Sequence, residues 1–263
     1  MKIGVVGYGT VGKAVAYGFR LKGHRVYVND VVLRNRQVCE KDFLMRECSL
    51  VFVCVQTPPK PSGIMDLSSL EQAVRELNDS VSDSGRSETL DSVVVIKSTV
   101  VPGTTVKFES KFPDLKFAVN PEFLRMKRAR RDFVHQRRIV IGSSGKEITK
   151  KVAEAYESWK CPIVTTDPTT AETVKLLSNC FLTLKVAYAC EAARICEVLG
   201  VNAKEVMDIV CMDPRIGTSH LDPTLGKVPR SSVCLPKDTS ALIQDLESRG
   251  HSPQLKDCVC DWC

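Results

Sequence analysis

Met1–Asp30 reads MKIGVVGYGTVGKAVAYGFRLKGHRVYVND, and this stretch decides the fold. Lys2–Val6 is a short apolar run that predicts a buried strand. Gly7-Tyr8-Gly9-Thr10-Val11-Gly12 follows at once. Lys13–Leu21 carries apolar residues at helical spacing, Gly23 ends that helix, and Arg25–Asn29 predicts a second strand closed by Asp30. The order is strand, glycine turn, helix, strand, acid. Gly7 permits a tight turn, Gly9 lets the backbone approach a pyrophosphate, and Gly12 lets the helix lie close on the sheet. The backbone N–H groups of Thr10, Val11 and Gly12 then face a phosphate at a positive helix end. Asp30 lies about twenty residues past the glycines, where a carboxylate accepts ribose hydroxyls and repels a 2′-phosphate. The expected cofactor is therefore NAD. Arg34 and Arg36 could hold a 2′-phosphate instead if Asp30 turns away.

The rest of the chain extends this pattern. Leu50–Val55, Val93–Ile96, Lys116–Val119, Arg138–Ile141 and Pro162–Val164 are further strand candidates. Glu40–Arg46, Asp66–Leu77, a short segment after Gly103, and Lys146–Trp159 are helical between them. Strands alternating with helices predict an α/β fold, a Rossmann-like doubly wound parallel sheet covered on both faces. Ligands of such sheets sit at the carboxyl ends of the strands, where Gly7, Thr57, Thr99 and Glu122 all fall. From Thr169 the pattern changes. Thr170–Leu199 contains no proline or glycine and reads as one long helix, suited to a spine between domains or subunits. Ala203–Val210 and Asp238–Ser248 are two further helices, separated by a proline- and glycine-rich loop over 212–233. The expected division is a dinucleotide-binding domain over 1–166 and a small all-α domain over 167–263.

With 263 residues the chain has room for both domains, and 43% hydrophobic and 26% charged residues are globular proportions. No apolar run approaches the roughly twenty residues of a membrane span, and Met1–Val6 has no signal-peptide form. A cytoplasmic, reducing setting is expected. The net charge of +6 suits an anionic small molecule and does not by itself argue for nucleic acid. Many of the twelve cysteines sit in apolar stretches, as Cys54, Cys180, Cys190 and Cys196 do, and these read as small buried hydrophobes. Cys258, Cys260 and Cys263 crowd the C-terminal end without an obvious fourth ligand, so no metal site is expected there.

Spacing also singles out chemical candidates. Lys175 and Asn179 are one helical turn apart, where an ammonium and an amide could stabilise an oxyanion; a solvated pair explains the spacing equally. Cys234 reads as lying in a proline-bounded loop ahead of a helix, with Lys237 and Asp238 close by, where a thiol could gain thiolate character; by spacing alone it is one cysteine among twelve.

Several longer segments together resemble the UDP-glucose/GDP-mannose dehydrogenase family of nucleotide-sugar dehydrogenases. They are GYGTVG at 7–12, VFVCVQTP at 51–58, GIMDLS at 63–68, KSTVVPGT at 97–104, NPEFL at 120–124, RRIVIG ending at 142, AETVKLLSN at 171–179, DPRIG at 213–217 and CLPKDTSAL at 234–242. The resemblance implies oxidation of a sugar C6 alcohol to the carboxylate with two NAD, UDP-glucose being the substrate most suggested. It implies Cys234 as the nucleophile, Lys175 and Asn179 as oxyanion holders, and Asp238 and Thr99 as residues that position water. It implies Glu122 as the acid/base, with Thr57 and Thr99 along the cofactor. It also implies a homodimer through the 170–199 helix and a part in supplying surface polysaccharide. The likeness covers the first two domains of the family; the third, which closes over the nucleotide, is not in this sequence. Three stretches depart from the family pattern. Gly226–Cys234 lacks the family's glycine-rich approach to the cysteine, and the segment after Asp30 is short. Met126 and Lys127 stand where an acid and a glycine are usual, within a basic run of Arg125, Lys127, Arg128, Arg130 and Arg131. That run suits a diphosphate or simply a solvated helix face. Two other readings of the chain stay open. One is a β-hydroxyacid-type two-electron dehydrogenase, which shares the Lys-x-x-x-Asn pair but has no need of Cys234. The other is an NAD-binding subunit that does not turn over.

Overall fold

The computed structural model describes residues 1–32, 39–82, 91–222, 224 and 234–259. Arg34, Arg36, the approach to Cys234, Cys260 and Cys263 lie outside the described residues. The chain divides into two compact units, 1–58 with 65–175, and 59–64 with 176–263.

The first unit is built on β1 (Lys2–Val6), β2 (Arg25–Asn29), β3 (Leu50–Val53), β4 (Val93–Ile96), β5 (Lys116–Val119), β6 (Ile139–Gly142) and β7 (Ile163–Thr166), in sheet order β2-β1-β3-β4-β5-β6-β7. Its helices are α1 (Thr10–Leu21), α2 (Lys41–Glu47), α3 (Ser68–Ser82), α4 (Thr104–Lys111), α5 (Ala129–Val134) and α6 (Lys146–Glu154). Strand residues alternate between two cores, as the period of two requires. Ile3, Val5, Leu50, Phe52, Val93 and Val95 meet Phe19 of α1, Phe133 of α5, Tyr156 and Trp159 on one face. Val51, Val53, Val94, Ile96 and Phe117 meet Leu44 and Met45 of α2, Leu70, Val74 and Leu77 of α3, and Phe108 of α4 on the other. Both faces are thus covered, which explains the unbroken apolar strand runs. Gly18 belongs to this packing, because a Cβ there would stand 2.2 Å from the Phe133 ring.

One expectation needs correcting: the sheet is not wholly parallel. β6 runs antiparallel to β5, and the two meet at a single register pair, Val119 with Gly142. The link between them holds a 3-10 turn and the six-residue α5. At about 1.5 Å per residue, α5 is too short to carry the chain back along the sheet for a parallel crossover. β7 then resumes parallel pairing with β6.

The long helix α7 (Pro168–Leu199) begins in the first unit and continues into the second. Its first turn is tied to the first unit through Glu172, whose carboxylate accepts from the Gly103 and Thr105 N–H groups at 2.6 and 2.8 Å and caps α4. The second unit adds α8 (Ala203–Val210), α9 (Cys234–Ser248) and α10 (Leu255–Val259). Its loop 59–64 packs on α9 at Gly63, which has φ +84° and would bring a Cβ within 2.8 Å of Ser240 Oγ. Among the described residues no helix is long and apolar enough to cross a membrane.

Candidate active site

The sheet order places β1 between β2 and β3, so the chain's winding reverses at the carboxyl end of β1. A crevice opens at such a switch point. Here it is a cleft of about 510 Å³ lined by Gly7, Gly9, Thr10, Val11 and Asp30, with Gln56 beyond β3 and Gln72 and Glu76 of α3.

The glycines act as the motif requires, though not all against the expected neighbour. Gly7 has φ +87°, and a Cβ there would stand 2.9 Å from the Cys54 backbone. A Cβ on Gly12 would stand 1.9 Å from the Gly7 carbonyl oxygen, so Gly12 closes the turn on itself more than it seats the helix on the sheet. A Cβ on Gly9 would meet nothing within 4 Å, which leaves the backbone bare on the side where a pyrophosphate would lie. The first intrahelical bond of α1 runs from Lys13 N–H to the Gly9 carbonyl. The N–H groups of Thr10, Val11 and Gly12 therefore have no intrahelical acceptor. Asp30 Oδ2 accepts from Tyr8 N–H at 2.5 Å and Oδ1 from Val32 N–H at 2.8 Å, which fixes the acid at the rim of the cleft. A bare turn, an open helix end and a fixed acid form a cradle that fits NAD. Thr57 and Thr99 do not line the cleft; Thr57 Oγ1 donates to the Thr99 carbonyl at 2.8 Å.

Glu122 leaves β5 in the turn Asn120-Pro121-Glu122. Its Oε1 accepts from Lys175 Nζ at 2.8 Å and its Oε2 from Leu124 N–H at 2.6 Å, with both charged side chains nearly enclosed. Burial works to raise its pKa, but the Lys175 ammonium, the Leu124 N–H and the Lys97 ammonium together hold it below the usual carboxylate value. Lys97 and Tyr156 carry part of this arrangement and were not singled out by the sequence. The available signals were a lysine closing the apolar run VVVI and its place at the head of the KSTVVPGT segment.

In the second unit, Asn179 Nδ2 donates to Asp238 Oδ2 at 2.6 Å, and Asp238 Oδ1 lies 2.7 Å from Lys237 Nζ. Thr183 and Thr239 share a hydrogen bond of 2.9 Å beneath them. Cys234 is not in a loop ahead of a helix, as its sequence suggested. It is the first residue of α9, which starts four residues earlier than expected. Pro236 falls in the first turn, where a missing N–H costs no hydrogen bond. Cys234 and Asp238 are consequently one turn apart, with the half-buried thiol at the positive end of a helix. No disulfide joins the described cysteines, and among the described residues no cluster is placed to hold a metal. Arg125 of the basic run pairs with Asp132 at 2.7 Å.

The first unit is thus a doubly wound dinucleotide-binding domain, and the protein is of the NAD-linked class. Comparison with known proteins narrows this. The NAD binding domain of the UDP-glucose/GDP-mannose dehydrogenase family matches residues 33–160, and its central domain matches residues 169–261. A UDP-glucose 6-dehydrogenase of Haloferax volcanii, AglM, is 30% identical over 99% of this chain and 69% of its own length. A GDP-mannose 6-dehydrogenase of Azotobacter vinelandii is 35% identical over 73% of this chain and 45% of its own. A solved UDP-glucose dehydrogenase from Pyrobaculum islandicum superposes with a TM-score of 0.87 at 31% identity, over 99% of this chain and 67% of that one. The chain belongs to the UDP-glucose/GDP-mannose dehydrogenase family, NAD-dependent oxidoreductases of nucleotide sugars. It spans between about half and two thirds of the length of these relatives.

Proposed function

We propose that this chain oxidises the C6 alcohol of a nucleotide sugar, UDP-glucose foremost, to the carboxylate in two steps on one enzyme. The observation that carries the reading is Cys234 at the opening of α9, one turn from an Asp238 held by Asn179. A two-electron dehydrogenase has no use for that thiol. NAD, when bound, accepts a hydride in each of the two oxidations. In the first, the C6 alcohol loses a hydride and a proton to become the aldehyde. The Cys234 thiolate adds to the aldehyde carbon, and the carbonyl oxygen takes up a proton as the thiohemiacetal forms. Lys175 and Asn179 stabilise negative charge on that oxygen. Loss of the second hydride and of the hydroxyl proton leaves a thioester. Water positioned by Asp238 and Thr99 then attacks it with Glu122 as acid/base, releasing the thiol and the carboxylate. The covalent link keeps the aldehyde from escaping between the oxidations.

Gly7, Gly9, Thr10, Val11, Gly12 and Asp30 hold NAD in this reading, with Thr57 and Thr99 further along it. A homodimer through α7 is supported by a row of exposed apolar residues: Leu177, Phe181, Tyr188 and Ile195 are all more than half exposed. We place the protein in the cytoplasm and assign it to polysaccharide precursor supply. The test is NADH formed per sugar consumed, over a panel of UDP- and GDP-sugars. Two NADH per sugar bears out the covalent route. One would favour the two-electron alternative, and none with NAD bound would make the chain a cofactor-binding subunit.

A further inference from the structure

Lys97 directly follows β4 and is 1% exposed, a rare environment for a lysine. Its ammonium donates to Asn120 Oδ1 at 2.8 Å and to the Pro121 carbonyl at 3.2 Å. It lies 5.6 Å from the centre of the Phe133 ring. Asn120, fully buried, donates to the Val140 carbonyl at 2.7 Å, and its Oδ1 also takes the Tyr156 hydroxyl at 2.6 Å. The two residues immediately before Glu122 are therefore both bonded to one buried ammonium, and β6 and Tyr156 brace the first of them. Such a device is costly unless its charge is used, since an unneeded buried lysine is readily replaced by an apolar residue.

We propose that Lys97 is a positioning residue for Glu122: acting through the Asn120–Pro121 turn, it sets where the Glu122 carboxylate stands and adds a second positive charge behind it. The proposal rests on the reading of Glu122 as the acid/base. The titratable groups facing Lys97 are Cys54 beyond β3, Glu122 beyond β5, Lys175 on α7 and Tyr156 beyond α6. Burial pushes the Cys54 thiol up to about 12 and the Tyr156 hydroxyl well up, so both stay neutral, and the charge balance lies among Lys97, Glu122 and Lys175. Burial also lowers Lys97 itself to about 8, which leaves it charged at neutral pH.

The test replaces the ammonium in the full chain by Lys97→Met, with Lys97→Gln as a second variant that keeps an amide donor for Asn120 but no charge. Two readouts are taken. One is the pH profile of NADH formation. The other is the infrared titration of the Glu122 carboxylate in ¹³C-glutamate protein, with Glu122→Gln as the subtracted reference. The expected result is a kcat about tenfold lower, an NAD KM within about twofold of the parent, and a Glu122 titration and acidic limb moved up by about one pH unit. An unmoved titration in folded Lys97→Met overturns the proposal. So does failure of both variants to fold, which would make Lys97 a purely structural residue. Because the infrared shift needs no turnover, a moved titration in a protein that oxidises no sugar counts against the dehydrogenase reading while supporting the Lys97 coupling.

Discussion

The two compact units bury their apolar surface very differently. The first closes two large cores on the faces of its sheet, each contributed by five or more strands and helices. Among the described residues, the second has two small clusters. Leu176, Cys180 and Leu242 form one; Ala189, Met207 and Leu221 form the other. Meanwhile Leu177, Phe181, Tyr188, Ile195 and Met212 stay exposed. A sheet covered on both sides satisfies its own apolar surface. A helical unit with three-residue clusters cannot, and exposed apolar rows of that kind mark surfaces that associate. The difference also separates the chemistry. The cofactor cradle and the Glu122–Lys175 pair belong to the well-packed unit, whereas the thiol sits in the sparsely packed one.

The sharpest break between the units is Cys234→Ser. It should cut NADH formation by about a thousandfold or more, roughly 4 kcal/mol of barrier, while NAD affinity measured by calorimetry stays at the parent value. Equal losses of both would mean that Cys234 supports the fold and not the reaction. Next is Gly12→Ala, which drives a methyl into the Gly7 carbonyl. NAD affinity should fall about a hundredfold, near 2.7 kcal/mol, with the unit still folded by circular dichroism. Unchanged affinity would remove the glycine turn from the cofactor site.

Glu122→Gln tests the first unit from its electrostatics. A carboxylate whose folded pKa is depressed contributes stability above its ordinary value of 4.5 and loses it as the pH falls through the folded value. The variant should therefore be less stable than the parent at neutral pH, and the gap should narrow as the pH drops below 4.5. A gap that stays constant on acidification, followed by thermal melts, would show that folding does not depress the carboxylate's pKa. The smallest expected effect belongs to the second unit. Phe181→Asp should shift sedimentation from dimer to monomer and lower the melting temperature by a few degrees. A parent that is monomeric at micromolar concentration would sink the association argument outright.

Much of the fold was legible because its signals are local. The glycine spacing at 7–12, the acid at 30 and the apolar strand runs each follow from backbone geometry or two-residue periodicity. The long helix was legible because nothing between 170 and 199 interrupts it. The start of α9 was misread because Pro236 looks like a breaker, and only its place in the first turn makes it harmless. The reversal of β6 was not legible either, since strand direction depends on where a connection travels and not on the strand's own residues.

By itself, then, the sequence determined the dinucleotide turn, the kin of the chain and the residue types available for its chemistry. These rest on short-range spacing that any chain of this composition would have to obey. Tertiary structure alone decided which charges are buried together. Lys97 reads as an ordinary polar residue at a strand end until the packing of Phe133, Asn120 and Tyr156 encloses it. Glu122 becomes a depressed carboxylate chiefly because α7 brings Lys175 to 2.8 Å from it, across 53 residues of chain, with the Leu124 N–H and Lys97 adding to the effect. Desolvation and Coulomb attraction act through space, so no spacing rule along the chain could have supplied either result.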